Sequence, residues 1–275
     1  MDTFLLSNAI KATQNSPWVI NLLRALIPLN TACRLAAYTA GIPGCTFKFM
    51  DPDDENEIRQ VGDLMADVFL KREPLSHALE TSDPGFPDVL RAYSHVLSAR
   101  CAVGGLTPIA KSADGTVIAL VMVEHWDRTK APCSQPPALR PFCDILERLD
   151  VEFANRRGTD ARVAEITMGA VHPDFGGQGI MSRLASLSLL NAFKRGYDEC
   201  MTKSTSYSRL GLKGAGFEVL AELKYKEYEY EGTRPFASIE DPTTVQLMWG
   251  DVVSILSGYP GGILRGRQKY DGKLA

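Results

Sequence analysis

Hydrophobic residues recur at helical spacing in several segments of the chain. One such stripe consists of Ile58, Val61, Leu64, Met65 and Val68. This spacing predicts an amphipathic helix whose acidic start is supplied by residues 51–54. Pro74 predicts that the helix ends or kinks at Glu73. Similar stripes predict further helices over about 86–101 and 142–157.

Other segments are rich in β-branched residues or alternate between hydrophobic and polar positions, which predicts strands. Asp114 and Gly115 stand between two such runs and predict a hairpin. In the stretch FEVLAELKY the alternation predicts a long strand with one hydrophobic face, made of Phe217, Val219, Ala221, Leu223 and Tyr225. Shorter runs predict strands over 45–50, near Cys200 and in TTVQLMWGDV. Because strands and helices mix without the regular alternation of a doubly wound sheet, we expect a mixed α/β fold of the α+β kind.

Glycine is concentrated between a strand-like run and a helix-like run, in the stretch AVHPDFGGQGIMSRL. Gly176, Gly177 and Gly179 predict a turn. The helix that follows is predicted by a stripe of Ile180, Leu184, Leu187 and Leu190. Such a turn leaves backbone N–H groups free at a helix N-terminus, where they bind a pyrophosphate without any lysine. The alternative is a tight turn without a ligand. The turn matches neither a Walker loop, which needs Gly-Lys-Ser/Thr, nor a dinucleotide fingerprint, because Ser182 replaces the third glycine.

Composition narrows the class of protein. The chain has 275 residues, of which 45% are hydrophobic and 23% charged, and these are ordinary values for a globular protein. A net charge of −3 gives no electrostatic reason to expect a nucleic acid partner. The six cysteines form no C-x-x-C pair and the four histidines are scattered, so we expect no metal site. Cysteines this sparse indicate reduced thiols and a cytoplasmic protein.

The two ends of the chain differ from its middle. Residues 1–45 are predicted as an N-terminal helical extension of two amphipathic helices, divided near Ser16 and Pro17. They lack the layout of a secretory signal, and no apolar run is long enough to span a bilayer. We expect these helices to pack on the domain or on a second subunit, with membrane-surface contact as the alternative. Residues 253–275 are expected to form a loose, glycine-rich tail.

Four segments, in order and at matching spacing from about residue 46 to 250, resemble the GNAT superfamily of N-acetyltransferases. The resemblance is to its arylalkylamine (dopamine) N-acetyltransferase-like branch. VHPDFGGQGIMSRL resembles the acetyl-CoA-binding segment, and FLKREPLSHALE resembles the F-x-x-x-EPL segment. STSYSRLGLKGAGFEVL resembles the serine-rich segment with its GF step, and DPTTVQLMWGDV resembles the closing strand. In the first segment, Gly176 stands where the family has Gln or Arg, and Met181 where it has a small residue.

The resemblance implies the GNAT acyl-CoA N-acyltransferase fold over residues 46–252. This is a central, mostly antiparallel, twisted sheet flanked by helices. It also implies acetyl-CoA as cosubstrate. The strand at 167–171 is then expected to pair with the pantetheine arm, and residues 176–182 to hold the pyrophosphate. The cofactor-binding residues expected on this basis are Ala170, Val171, Gly176, Gly177, Gln178, Gly179, Ile180, Met181 and Ser182.

Three residues align with groups that handle protons in that family. Glu73 is the candidate general base, and an exposed surface glutamate is the alternative. Ser204 and Ser208 are candidate acids for the leaving thiolate. They are four positions apart, so one helical turn would place both on one side, and helix capping is the alternative for Ser204. Leu212 stands where many GNAT enzymes have a tyrosine acid. Cys200 is expected to be a small buried strand residue rather than a nucleophile.

The expected function is transfer of the acetyl group of acetyl-CoA to a small, arylalkylamine-like primary amine. The resemblance implies direct attack in a ternary complex, without an acyl-enzyme. The alternative is a CoA-binding sensor or scaffold of the same fold that is catalytically weak or inactive, which the changes at Gly176, Met181 and Leu212 favour. The sequence leaves the acceptor amine, the acyl chain length and the oligomeric state open.

Overall fold

The computed structural model describes residues 42, 44–127, 136–158 and 161–256. The predicted N-terminal helices, most of the proline-rich loop after residue 127 and the end of the tail lie outside the described residues. In chain order the elements are β1 (Thr46–Phe49), α1 (Glu55–Arg72), α2 (Pro74–Ser82), α3 (Phe86–Gly104), β2 (Pro108–Lys111), β3 (Val117–His125), a 3-10 turn (Pro137–Leu139), α4 (Arg140–Arg157), β4 (Val163–Val171), a 3-10 turn (Pro173–Phe175), α5 (Ile180–Lys194), β5 (Glu199–Thr205), α6 (Ser206–Ala215), β6 (Glu218–Lys224) and β7 (Thr244–Asp251).

The strands form one sheet in the order β1-β2-β3-β4-β5-β7-β6. Every neighbouring pair is antiparallel except β4 and β5, which are parallel. The single parallel pair follows from the crossover through α5, because a helix between two adjacent strands brings the chain back in the same direction. The expectation of a mixed, mostly antiparallel sheet flanked by helices is confirmed.

Two hydrophobic cores lie on the two faces of the sheet. Helices α1 to α4 pack on the first face, with fully buried Val61, Leu90, Ile145 and Phe153. Helices α5 and α6 pack on the second face, which buries Leu184 and Phe217 among others. The middle of β3 is buried along its length because it lies between both layers, and this explains its continuous apolar run. No helix of the described residues is long and apolar enough to cross a bilayer.

Several local signals act as the sequence predicted. Asp54 caps α1 by accepting a hydrogen bond from the backbone N–H of Glu57 at 2.9 Å. Pro74 separates α1 from α2, so the first helix ends before Glu73. Gly115 has a φ of +85° in the turn of the β2–β3 hairpin.

The prediction of one hydrophobic face on β6 is wrong. The register against β7 shifts between Val219 and Ala221, which places an extra residue in β6. A bulge of this kind moves the following side chains to the opposite face. Val219 therefore packs into the core under α5 and α6, whereas Leu223 and Tyr225 pack into the core under α1 to α4.

Candidate active site

The parallel strands β4 and β5 pair only along their first halves. Their pairing ends where Ile166 lies opposite Thr202. Beyond this point β4 continues beside β3, and β5 continues beside β7. The edge of β4 from residue 167 to 171 is therefore free of a neighbouring strand on the β5 side. Ala170 and Val171, both predicted to bind the cosubstrate, lie on this free edge.

β4 carries a bulge where the strands part. Met122 of β3 pairs with Met168, and Val123 pairs with Ile166, so Thr167 has no residue opposite it. The hydroxyl of Thr167 donates to the carbonyl oxygen of Met122 at 3.3 Å. A bulge increases the local twist and leaves the extra residue outside the ladder. The free edge of β4 therefore begins with backbone groups that can serve a ligand.

The free edge leads into the glycine turn. Gly177 and Gly179 have φ values of +75° and +77°, a left-handed conformation that other residues adopt at a cost. Gly179 is the N-cap residue of α5, and no side chain caps this helix end. A Cβ atom built on either glycine would meet no atom within 4 Å, so the turn is open on its outer side. A helix N-terminus with no side-chain cap and with open space beside it fits a phosphate-sized anion.

The remaining residues of the predicted phosphate turn surround this helix end. Gly176 has an extended backbone. Gln178 is exposed and Ser182 is half-buried. Ile180 is buried and anchors the first turn of α5. Ile180 therefore fixes the start of the helix in the core, whereas Gln178 faces solvent. Within the described residues, no group of His, Cys, Asp and Glu could hold a metal ion.

Met181 belongs to the first turn of α5, and its side chain packs against strand β4. A Cβ atom at Gly169 would come within 3.0 Å of the Met181 Cε atom and 3.1 Å of its Sδ atom. The missing side chain of Gly169 therefore makes the room that the thioether fills. Gly169 belongs to the free edge of β4, so the bulk of Met181 borders the gap between β4 and β5. Gly169 was not among the residues predicted from the sequence, although a glycine inside a strand is a known signal of close approach.

Glu73 lies between α1 and α2 and caps the second helix. Its Oε2 atom accepts hydrogen bonds from the Ser76 backbone N–H at 2.6 Å and from the Ser76 hydroxyl at 2.8 Å. Burial raises the pKa of Glu73 above its ordinary value, although these hydrogen bonds act in the opposite direction. Glu73 as a whole is half-buried, so the alternative of an exposed surface glutamate does not hold.

The two candidate serines do not share a helical turn, and that expectation is wrong. Ser204 belongs to strand β5, whereas Ser208 belongs to helix α6, because the helix starts only at residue 206. The buried Ser204 hydroxyl contacts the Met248 sulfur at 3.1 Å, and the Ser208 hydroxyl donates to the Thr205 carbonyl at 3.3 Å. Thr205, not Ser204, is the N-cap residue of α6.

A buried ion cluster lies at the point where β4 and β5 part. Lys203 is the first β5 residue beyond the pairing, and its side chain is 7% exposed. Its ammonium group lies 2.5 Å from Asp150 of α4 and also contacts Glu165 of β4. Burial alone would lower the pKa of Lys203, but the two carboxylates outweigh it and raise the pKa. The cluster was not predicted from the sequence, because its three members are far apart in the chain.

Cys200 is a buried strand residue, as expected. Its thiol is fully enclosed, and burial raises its pKa above the ordinary value. A thiol held in its protonated form is a poor nucleophile, and this agrees with a structural role.

Comparison with solved structures identifies the fold. Arylalkylamine N-acetyltransferase 2 from Aedes aegypti superposes with a TM-score of 0.63 at 18% identity, over 76% of this chain and 99% of that one. The polyamine N-acetyltransferase of Drosophila melanogaster gives 0.61 at 16% identity, over 75% and 99%. The C-terminal condensation domain of Ebony, solved with beta-alanyl-dopamine, gives 0.61 at 16% identity, over 75% and 98%.

No protein-family model matches the chain, and no curated protein matches it by sequence. The likeness to solved structures therefore shows the fold alone. The chain has the GNAT fold, as the four sequence segments implied.

Proposed function

We propose that the protein is an acyl-CoA-dependent N-acyltransferase. It transfers the acetyl group of acetyl-CoA to a small primary amine of the arylalkylamine kind. The observation that carries the proposal is the free edge of β4, which runs into an open, uncapped helix N-terminus at Gly179. The structural neighbours, whose names are those of N-acetyltransferases, support the same reaction class.

Acetyl-CoA fits this arrangement in two places. Its pantetheine amides can hydrogen-bond the unpaired backbone of β4 at Val171, as an added strand would, while Ala170 lies beside this position with its own backbone turned towards β3. Its pyrophosphate can bind the N–H groups that follow Gly177 and Gly179. Gly176 contributes only its backbone, because it lacks the side chain that the family has there. We assign Gln178, Ile180, Met181 and Ser182 to the same cosubstrate-binding turn.

The acyl transfer itself needs three groups to act. Glu73 removes a proton from the amine, and its raised pKa makes the carboxylate a stronger base than an ordinary glutamate. Backbone N–H groups near the β4 bulge polarise the thioester carbonyl. Ser208 or Ser204 supplies a proton to the leaving sulfur. In balance, an N–C bond replaces a C–S bond, and the proton lost by the amine is matched by one gained by the thiol.

The second candidate is a CoA-binding protein without turnover. It is favoured by one observation, which is that both serine hydroxyls already have partners within the fold, at Met248 and Thr205. A serine that keeps such a partner cannot donate to the leaving sulfur.

A transfer assay with acetyl-CoA separates the two candidates. Phenethylamine and agmatine are offered as acceptors, and release of free thiol is followed with the wild type, Glu73→Gln and Ser208→Ala. We expect turnover by the wild type and a loss of about 100-fold or more in Glu73→Gln, the size of a general-base contribution. Tight binding of acetyl-CoA without thiol release from any amine would favour the second candidate.

A further inference from the structure

The gap between β4 and β5 divides the sheet into a β4 half, made of β1 to β4, and a β5 half, made of β5, β6 and β7. Helices α1, α3 and α5 pack mainly on the β4 half, whereas α4 and α6 pack mainly on the β5 half. Within the described strands, pairing between the halves runs only from Val163 opposite Glu199 to Ile166 opposite Thr202. The strands part beyond this run, so the width of the gap depends on how the halves are held at its inner end.

Lys203 crosses this boundary at the inner end of the gap. It belongs to β5 and lies one position beyond the last residue that pairs with β4. Its side chain nevertheless turns back to contact Glu165 of β4, its diagonal neighbour across the two strands. The same ammonium group lies 2.5 Å from Asp150 of α4, and Asp150 accepts a hydrogen bond at 3.1 Å from the indole N–H of Trp126, just after β3. Two side-chain contacts, Lys203 to Glu165 and Trp126 to Asp150, therefore join the halves here.

A second cation balances the charges beside Lys203. Glu124 of β3 lies directly opposite Glu165 in the register, so two carboxylates are neighbours on one face of the sheet. Their side chains are only 10% and 15% exposed. Arg100 of α3 binds Glu124 with 2.6 Å between Nη2 and Oε2, and Lys203 binds Glu165. Enclosed carboxylates need a cation each, so a variant that removes Lys203 must also neutralise Glu165 if the fold is to be kept.

Stability alone does not explain an ion cluster in this place. Taking charges out of water costs free energy, and hydrophobic residues of similar volume often stabilise a fold as well or better. An ion pair adds direction, because the Lys203 ammonium group reaches both carboxylates only when β4, β5 and α4 lie in one arrangement. The cluster therefore fixes the two halves at the point from which the strand edges diverge.

We propose that Lys203 is a positioning residue for the gap that receives acetyl-CoA: its ammonium group fastens β5 to β4 and α4, and so sets the separation of the two strand edges. The importance of this separation for acetyl-CoA rests on the proposed function, whereas the fastening of the strands does not. When the halves are free to move, the gap has the binding width for only a fraction of the time, and the apparent affinity falls by that fraction.

The test compares two double variants. Lys203→Met with Glu165→Gln removes the ammonium group together with the charge that it neutralises on β4. Arg157→Met with Glu199→Gln is the matched control. It also removes a contact between a cation and a carboxylate, 2.5 Å apart, but Arg157 of α4 and Glu199 of β5 both lie in the β5 half. Urea unfolding of both variants checks that the fold is kept.

Hydrogen exchange measured by mass spectrometry reports the fastening without any ligand. In Lys203→Met with Glu165→Gln, we expect residues 163–166 and 199–202 to exchange about tenfold faster than in the wild type, while residues 117–122 of β3 keep the wild-type rate. A loss of global stability alone would speed exchange in all three segments. In a calorimetric titration the same variant should bind acetyl-CoA about tenfold more weakly. The control variant should match the wild type in both measurements.

Exchange of residues 163–166 and 199–202 at the wild-type rate in Lys203→Met with Glu165→Gln overturns the inference, and so does a control variant that loosens these segments as much. Faster exchange with an unchanged affinity for acetyl-CoA overturns the positioning role. A wild type that binds no acetyl-CoA refutes the proposed function instead, and the exchange rates then decide by themselves whether Lys203 fastens the strands.

Discussion

Gly169→Ala tests whether the space under Met181 belongs to the cosubstrate site. The new Cβ atom would lie 3.0 Å from the Met181 Cε atom and 3.1 Å from its Sδ atom. Carbon atoms prefer about 3.5–4.0 Å, so the tip of Met181 must retreat by about 0.5–1 Å. Because the tip of methionine is flexible, the cost to the fold is about 1 kcal/mol. We expect the retreating thioether to move towards the gap beside β4, where the pantetheine arm is proposed to lie.

We therefore expect Gly169→Ala to weaken acetyl-CoA binding about three- to tenfold, or about 0.7–1.4 kcal/mol, in a calorimetric titration. The double variant Gly169→Ala with Met181→Ala should recover the affinity, because the obstructing side chain is gone. Thermal unfolding of each variant checks that the fold is intact. Equal affinity in Gly169→Ala and the wild type would refute the reasoning, and so would a double variant that binds as weakly as Gly169→Ala.

Two further predictions concern buried charges. Burial raises the pKa of Glu73, so the folded wild type binds more protons than the unfolded chain between the ordinary pKa and the raised one, and its stability falls as pH rises through that window. Residue 73 cannot ionise in Glu73→Gln, so this variant should unfold at a higher temperature than the wild type near neutral pH. Below the ordinary glutamate pKa the two proteins should unfold at the same temperature. A Glu73→Gln variant that is less stable than the wild type near neutral pH contradicts this prediction. Lys203→Met leaves Glu165 buried without its cation and should lower the free energy of unfolding in urea by about 3–5 kcal/mol, and adding Glu165→Gln should recover part of the loss. Unchanged stability in Lys203→Met alone would show that the cluster is not formed in solution.

The elements that local signals specify were predictable from the sequence. Pro74 breaks the first helix, Gly115 turns the hairpin, and the glycine turn precedes α5, because each acts through backbone conformation within a few residues. The strand containing Gly169 was also predicted. Its contact with Met181 was not, because nothing in the local pattern shows which helix covers a strand.

The features that depend on pairing between distant segments were not predictable. The bulge in β6 appears only against β7, so the alternation around Val219 was misleading. Ser204 and Ser208 looked like one helical face, because the boundary between β5 and α6 is set by the pairing of β5 with β7 rather than by a breaker residue. The cluster around Lys203 likewise requires three elements to meet.

The most direct test of the account is a calorimetric titration of acetyl-CoA into the wild type, Gly177→Glu and Gly115→Glu. Both glycines have a left-handed φ, and a Cβ atom added to either would meet no atom within 4 Å. The two variants therefore carry the same backbone strain of about 1–2 kcal/mol. Only Gly177→Glu places a negative charge where the pyrophosphate is proposed to bind. We predict about micromolar binding by the wild type and Gly115→Glu, and a loss of about 100-fold or more in Gly177→Glu. No binding by the wild type, or equal binding by all three proteins, would contradict the central claim.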